Sequence, residues 1–284
     1  RGNAIKLLVQ MLQGLSLGEP SVAAGPACPG LRLARLQGGN ARNALPREAE
    51  ALVAVPAAQL PALQAAAAEW QARWQQLLLG VEPKVEVSVQ SVNAADVASA
   101  QAAGVLPLTE QHSWLRGLQA SPHGVHRMSQ RVAGVVETSN NVGVVDIQPA
   151  GGHANFMVRS LLDVGSRALA DQIVALWTLS GSQVQCSGAY PGWAPNPGSP
   201  LLAVCQRVFT QRFHEDSAVQ VIHAGLECGI LAAKHPGMDI VSYGPTIRGV
   251  HAPGEAVKVD TVAHCWTLLK DIATAVAKGE VAVA

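Results

Sequence analysis

A loop rich in glycine and proline carries the residue best suited to bind a metal ion. Residues 244–255, with the sequence GPTIRGVHAPGE, follow an apolar segment predicted to be a strand, and they contain His251. Loops at strand ends are where α/β domains place their chemistry, and a neutral imidazole suits zinc. One histidine cannot make a site, so the residues alone are equally consistent with a metal ligand and a structural turn.

Two other histidine-containing segments have simpler explanations. His214 lies two residues before Asp216, a spacing that can serve a metal, but this charged run is more typical of a solvated helix end. The segment HAGLECG, residues 223–229, places Glu227 and Cys228 after another predicted strand. Glu227 could bind substrate, support a neighbouring site or cap a helix. Nothing near Cys228 resembles an activated nucleophile pair.

Two polar side chains in the first part of the chain lie next to apolar strands. Asn43 follows the glycine pair at residues 38–39, and Arg159 lies in the segment MVRS among apolar strand residues. An arginine at such a position is usually on a solvated strand face. Its planar fork is also what the terminal carboxylate of a peptide requires, so both explanations stay open.

The composition limits the classes of partner. Among 284 residues, 20 basic side chains balance 20 acidic ones, so the chain lacks the positive footprint of a nucleic-acid-binding protein. No apolar run reaches the roughly 18 to 20 residues of a membrane helix, and no signal peptide opens the chain. The five cysteines include no C-x-x-C pair, which favours a reducing compartment. We expect a cytoplasmic protein that binds neither nucleic acid nor membranes.

Apolar periodicity predicts two domains. An opening helix, strands at residues 31–36, 48–55 and 84–89, and a helix at 57–79 make up most of a ferredoxin-like unit whose first strand is missing. Residues 191–200 are rich in proline and glycine, as domain boundaries are, and we place the boundary near Asn196. The predicted domains are residues 1–196, of α+β type, and residues 197–284, the end of an α/β domain.

Further elements are predicted on both sides of this boundary. Before it we expect strands at residues 132–137, 143–147, 156–162 and 183–189, with a helix at 166–178. After it we expect a helix at 201–213 with Ser199 as its N-cap, strands at 218–222 and 239–242, a short helix about Gly229 and a final helix at 257–277.

The beginning of the chain suggests a fragment. Arg1 stands where a methionine is expected, and an amphipathic helix is already under way at Ile5. We therefore expect that an amino-terminal part of the protein is missing.

Seven segments, in order along nearly the whole chain, resemble one known family. They resemble the aminoacyl-histidine dipeptidases, also called peptidase D or Xaa-His dipeptidases, within the di-zinc metallopeptidase family of aminoacylase and carboxypeptidase G. The segments are RGNAIKLLVQ, GGNARNALPREAEALV, GVVETSNNVG, CSGAYPGWAPNPGSP, VIHAGLECGIL, MDIVSYGPTIRGVHAPGE and HCWTLLKDI. The resemblance implies an α+β lid domain with ferredoxin-like units, followed by the carboxyl-terminal part of an α/β zinc-exopeptidase domain.

The resemblance also implies roles for four residues. His251 corresponds to a zinc ligand, Asn43 and Arg159 to lid residues that hold the carbonyl and carboxylate of the substrate, and Glu227 to a residue lining the site. Two zinc ions would activate a water that hydrolyses Xaa-His and related dipeptides, and cobalt or manganese could use the same ligands. The general base and the other ligands are expected upstream of Arg1, so no catalytic residue is expected within this chain.

The implied partners are a dipeptide substrate and a second copy of the chain, which would form a homodimer through the lid. Two other functions stay open, a non-catalytic lid and dimerisation scaffold, and a related amidohydrolase or tripeptidase with another substrate. The complete loop around His251 favours an enzyme, because a pure scaffold has no use for a metal ligand. The fragment by itself is expected to be inactive.

Overall fold

The computed structural model describes residues 2–17, 28–82, 84–221, 227–249 and 254–281. These residues form, in chain order, α1 (Ala4–Leu17), β1 (Arg32–Gly38), β2 (Ala49–Ala54), a 3-10 turn (Ala57–Gln59), α2 (Leu60–Leu77), α3 (Ala94–Ala103), α4 (Leu108–Ala120), β3 (Gly124–Met128), β4 (Val136–Gln148), β5 (Gly151–Ser160), α5 (Asp163–Leu179), α6 (Pro200–Phe213), α7 (Glu227–Lys234), β6 (Ile247–Arg248), β7 (Ala256–Val257) and α8 (Asp260–Ala277). None of the described helices is long and apolar enough to cross a lipid bilayer.

The contacts divide the chain into two compact units. Unit 1 comprises Arg1–Arg127, Thr138–Val158 and Ser166–Gln185, and unit 2 comprises Met128–Glu137, Arg159–Gly165 and Cys186–Ala284. The boundary placed near Asn196 stays a prediction.

Unit 1 contains a five-stranded sheet with the order β2-β1-β4-β3, and β5 also pairs with β4. β1 and β2 are antiparallel, and their register shifts between Leu33 and Arg35. This shift places an extra residue on β1, so Leu33 and Leu36 both lie in the core while Arg35 is exposed. The predicted strand is confirmed, but the bulge interrupts its strict alternation at Ala34.

Two helices contribute much of the core of unit 1. α1 buries Ile5, Val9 and Leu12, which recur at the spacing of one helical face. On α2, Trp70 and Trp74 are both buried, and their ring centroids are 5.5 Å apart. Their four-residue spacing therefore marks an inward face, as the sequence predicts.

The strand predicted at residues 84–89 is wrong. The segment alternates between exposed and half-buried residues, but it is not part of a ladder among the described residues. Side chains of α2 bind its backbone instead, because Gln71 Oε1 accepts from Val87 N at 2.7 Å and Gln75 Nε2 donates to Val85 O at 2.9 Å. A cavity of about 1040 Å³ lies among α1, α2, β2 and this segment.

Other predicted strands also need correction. Residues 183–189, 218–221 and 239–242 carry strand-like apolar patterns, yet none is in a strand, because an apolar run forms one only where a neighbour pairs with it. Ile222, the last residue of the strand predicted at 218–222, lies outside the described residues. The strand predicted at 143–147 lies entirely within the long strand β4, whereas only Val136 and Glu137 of the strand predicted at 132–137 belong to β4. Thr138 and Asn140, which lie between the two predicted segments, are buried within β4.

Unit 2 is mainly helical in its described part. Ser199 caps α6, since its Oγ accepts from Leu202 N at 2.9 Å and donates to Asp239 Oδ2 at 2.8 Å, and this predicted cap is confirmed. α6 packs on α8 through a small apolar core, which consists of Val204, Val208, Leu268, Ile272 and Ala275.

Candidate functional site

Asn43 lies in a tight turn with its side chain exposed to solvent. The amide of Ala44 donates to Ala41 O at 3.2 Å and closes a four-residue turn in which Asn43 is the third residue. A short polar side chain is common at this position because it tolerates the turn geometry. The turn therefore presents a carboxamide outward.

Two glycines allow this turn to lie directly against β4. A β-carbon on Gly39, which has a φ of +73°, would be 1.9 Å from Gly143 O. A β-carbon on Gly143 would be 2.7 Å from Arg42 Cα. Both distances are far inside van der Waals contact, so the backbone on either side of Asn43 is fixed against the sheet only because these residues lack side chains.

Hydrogen bonds hold the same turn from two directions. Asn141 Nδ2, on β4, donates to Arg42 O at 3.0 Å and to Ala44 O at 2.7 Å. From the start of α1, Ala4 N donates to Pro46 O at 3.1 Å, and Asn3 Nδ2 donates to Val142 O at 2.8 Å. The turn, β4 and α1 therefore form one hydrogen-bonded assembly.

A neutral histidine lies beside this assembly. His123 Nδ1 accepts from Val142 N at 3.3 Å and is 3.5 Å from Asn3 Nδ2. Burial, together with the positive charge of Lys6, lowers the pKa of His123 to about 4. The imidazole is therefore uncharged at neutral pH, which leaves Nδ1 free to accept hydrogen bonds.

Arg159 and Glu227 both belong to unit 2. Arg159 is half-buried near the end of β5, and Glu227 is the exposed first residue of α7. A β-carbon on Gly192 would lie 2.5 Å from Leu161 O, and one on Gly229 would lie 2.5 Å from Pro191 O. The segments that carry Arg159 and Glu227 thus pack on the same stretch of backbone, at Pro191 and Gly192.

Glu227 also has a structural role, because an acidic side chain in the first turn of a helix stabilises the helix dipole. Asn43 lies in unit 1, whereas Arg159 and Glu227 lie in unit 2. His214 is the exposed C-cap of α6, with a left-handed φ of 56°, and its interpretation as a solvated helix end is confirmed.

The metal ligand predicted at His251 lies outside the described residues. Within the ranges that the structure does describe, no group of three or more His, Cys, Asp or Glu side chains could hold a metal ion. The described residues therefore do not fit a metal centre by themselves.

The chain is similar to known peptidases. Residues 1–82 match the model of the M20_dimer family, a peptidase dimerisation domain. Over 271 residues the chain is 37% identical to the cytosol non-specific dipeptidase of Escherichia coli (strain K12), covering 95% of this chain and 52% of that protein. The predicted resemblance to dipeptidases is confirmed.

A solved structure agrees with this similarity. The crystal structure of aminoacylhistidine dipeptidase from Vibrio alginolyticus matches with a TM-score of 0.78 and 34% identity, over 97% of this chain and 53% of that chain. The α+β fold and the lid-type dimerisation domain are confirmed. The chain spans about half the length of the relatives it matches.

The residues that hold Asn43 in place were not singled out in the sequence. Asn141 and Gly143 lie in the dipeptidase-like segment GVVETSNNVG, in which residues 138–142 fall between two predicted strands. Asn3 lies in another dipeptidase-like segment, RGNAIKLLVQ. Their common task depends on contacts between residues 99 and 139 positions apart in the chain, and local periodicity carries no signal for such contacts.

Proposed function

We propose that this chain is the lid and carboxyl-terminal part of a metal-dependent dipeptidase. The similarity along nearly the whole chain to two dipeptidases supports this proposal. The observation that carries it is the exposed Asn43 carboxamide on a turn that glycine contacts and side-chain hydrogen bonds fix to β4. A rigid polar group of this kind suits the positioning of a peptide carbonyl.

The described side chains have chemistry that suits the scissile carbonyl and the terminal carboxylate of a small peptide. The N–H groups of the Asn43 carboxamide can donate to the carbonyl oxygen of the scissile bond. The guanidinium of Arg159 can bind the terminal carboxylate with two parallel hydrogen bonds, and Glu227 would line the site in the same unit. Xaa-His and related dipeptides are the proposed substrates, since one relative is named an aminoacylhistidine dipeptidase and the other a non-specific dipeptidase.

The metal belongs to the same proposal. Two zinc ions are implied by the family resemblance, with cobalt or manganese as alternatives, and His251 would contribute one imidazole. The remaining ligands and the general base would lie outside this chain. When bound, the metal would supply an activated water and polarise the carbonyl.

We also propose that the protein is cytoplasmic and forms a homodimer. One relative is named as a cytosol enzyme, and residues 1–82 match a family described as a peptidase dimerisation domain. The dimer interface would then lie on unit 1.

Histidine release from a Xaa-His dipeptide tests this function. It should be measured, with added zinc, for this chain and for a version extended by the half that its relatives have in addition. We expect activity only in the extended protein, with loss of activity in His251→Ala. The exposed His235 provides a matched control, and His235→Ala should keep full activity.

Two results would contradict the proposal. An extended protein that binds zinc but hydrolyses no dipeptide would favour the scaffold or a related amidohydrolase with another substrate. Turnover by the present chain alone would show that the metal ligands and general base do not lie outside it.

A further inference from the structure

We infer that Asn141 is a positioning residue for Asn43. This inference rests on the function proposed above, in which the Asn43 carboxamide contacts the substrate. Asn141 Nδ2 donates to Arg42 O at 3.0 Å and to Ala44 O at 2.7 Å, the carbonyls of the residues immediately before and after Asn43. The Asn141 side chain thereby sets the orientation of the turn that carries Asn43.

The placement of Asn141 on β4 supports this role. Residues two apart on a strand point to the same face, so Asn141 and Gly143 both face the turn. Gly143 provides the space in which the backbone of Arg42 lies, and Asn141 provides the hydrogen bonds that hold it there. Asn140 points to the opposite face, where its Nδ2 donates to Pro122 O at 2.6 Å.

A primary amide is the side chain that this geometry requires. Both atoms facing Asn141 are carbonyl oxygens, which only accept, so the facing group needs two N–H donors on one atom. An aspartate has the same shape but would place an acceptor oxygen against these carbonyls. Asn141 Oδ1 is buried and has no hydrogen-bond partner among the described residues, so the two hydrogen bonds that Asn141 Nδ2 donates hold the turn.

The test is a double-mutant cycle in the extended dipeptidase, with kcat and KM measured for one Xaa-His dipeptide. Asn141→Asp should lower kcat/KM by about tenfold or more, because a displaced substrate-binding group loses its alignment. The loss should fall on the same parameter, kcat or KM, as the loss in Asn43→Ala. Asn141→Ala should add less than about twofold when Asn43 is already alanine, since it acts through Asn43.

Asn140→Ala is the matched control, because it also removes a carboxamide from β4 but leaves the turn untouched. It should lower thermal stability and keep kcat/KM within about twofold of the unmodified protein. If Asn141→Asp does not fold, Asn141→Ala carries the same comparison.

The outcomes separate this inference from the proposed function. The positioning role alone would be overturned if Asn43→Ala lowered kcat/KM while Asn141→Asp left it unchanged. It would also be overturned if the losses of kcat/KM at the two sites were additive. Unchanged kcat/KM in Asn43→Ala would overturn the proposed function of Asn43, and the positioning role with it.

Discussion

At the scale of single residues, Asn43 and Arg159 carry the strongest predictions for activity. Asn43→Ala removes the carboxamide donor, and Arg159→Lys keeps the charge but loses the planar fork, so each should lower kcat/KM by about 10- to 100-fold. Steady-state kinetics on the extended protein measures both effects. Asn40→Ala, in the same exposed loop, and Arg127→Lys, on the exposed strand β3, are matched controls that should change little. Equal effects at site and control positions would contradict the assigned roles.

His123 gives a prediction for the pH dependence of stability. Burial and the nearby Lys6 lower its pKa to about 4 in the folded chain, against about 6.5 when unfolded. Between these values the unfolded chain binds a proton that the folded chain does not. The free energy of unfolding should therefore fall as the pH drops from about 6.5 to about 4.

Urea titrations at several pH values test this for the unmodified chain and for His123→Asn. Asparagine keeps an acceptor for Val142 N but does not titrate, so the variant should lose less stability over this pH range. Since the other histidines are common to both proteins, the difference between the two curves reports His123. Identical curves would contradict the assignment.

At the scale of elements, helices α4 and α5 meet at a glycine and a tryptophan. A β-carbon on Gly117 would lie 3.0 Å from Cη2 of Trp177. Trp177 cannot move aside easily, because its Nε1 donates to Ser121 Oγ at 3.1 Å and its ring packs against Trp114 and Phe156. Gly117→Ala should therefore destabilise the chain by about 1 kcal/mol, although alanine is the better helix former by a similar amount.

Chemical denaturation of Gly117→Ala and of the double variant with Trp177→Phe tests this packing. The smaller phenyl ring makes room for the methyl group, so the alanine should cost less in the Trp177→Phe background. An equal cost in both backgrounds would show that the tryptophan is not the obstacle.

The elements also show which features the sequence could predict. Ser199 with Pro200 fixes the start of α6, and Trp70 with Trp74 marks the inner face of α2, because these signals lie within a few residues of each other. Residues 84–89 have an equally clear alternation but form no strand, since pairing depends on a distant neighbour. The support of Asn43 by Asn141 also depends on residues far apart in the chain, so no local sequence pattern predicts it.

At the scale of the whole molecule, the two units differ in the size of their described cores. In unit 1, apolar side chains from α1, β1, α4 and β4 are fully buried, whereas the core between α6 and α8 in unit 2 is small. Amide hydrogens of β1 and β4 should therefore exchange with solvent more slowly than those of α6 and α8. Hydrogen exchange followed by mass spectrometry measures this, and equal protection of both sets would contradict it.

The close approach of Gly39 and Gly143 limits how this protein can vary. Each would-be β-carbon meets backbone atoms, Gly143 O in one case and Arg42 in the other, so trimming a neighbouring side chain cannot make room. A change at one glycine also cannot be compensated at the other, which already has the smallest side chain. Selection for folded protein from a saturation library at positions 39 and 143 should return glycine at both. No single substitution at either position is therefore expected to be neutral.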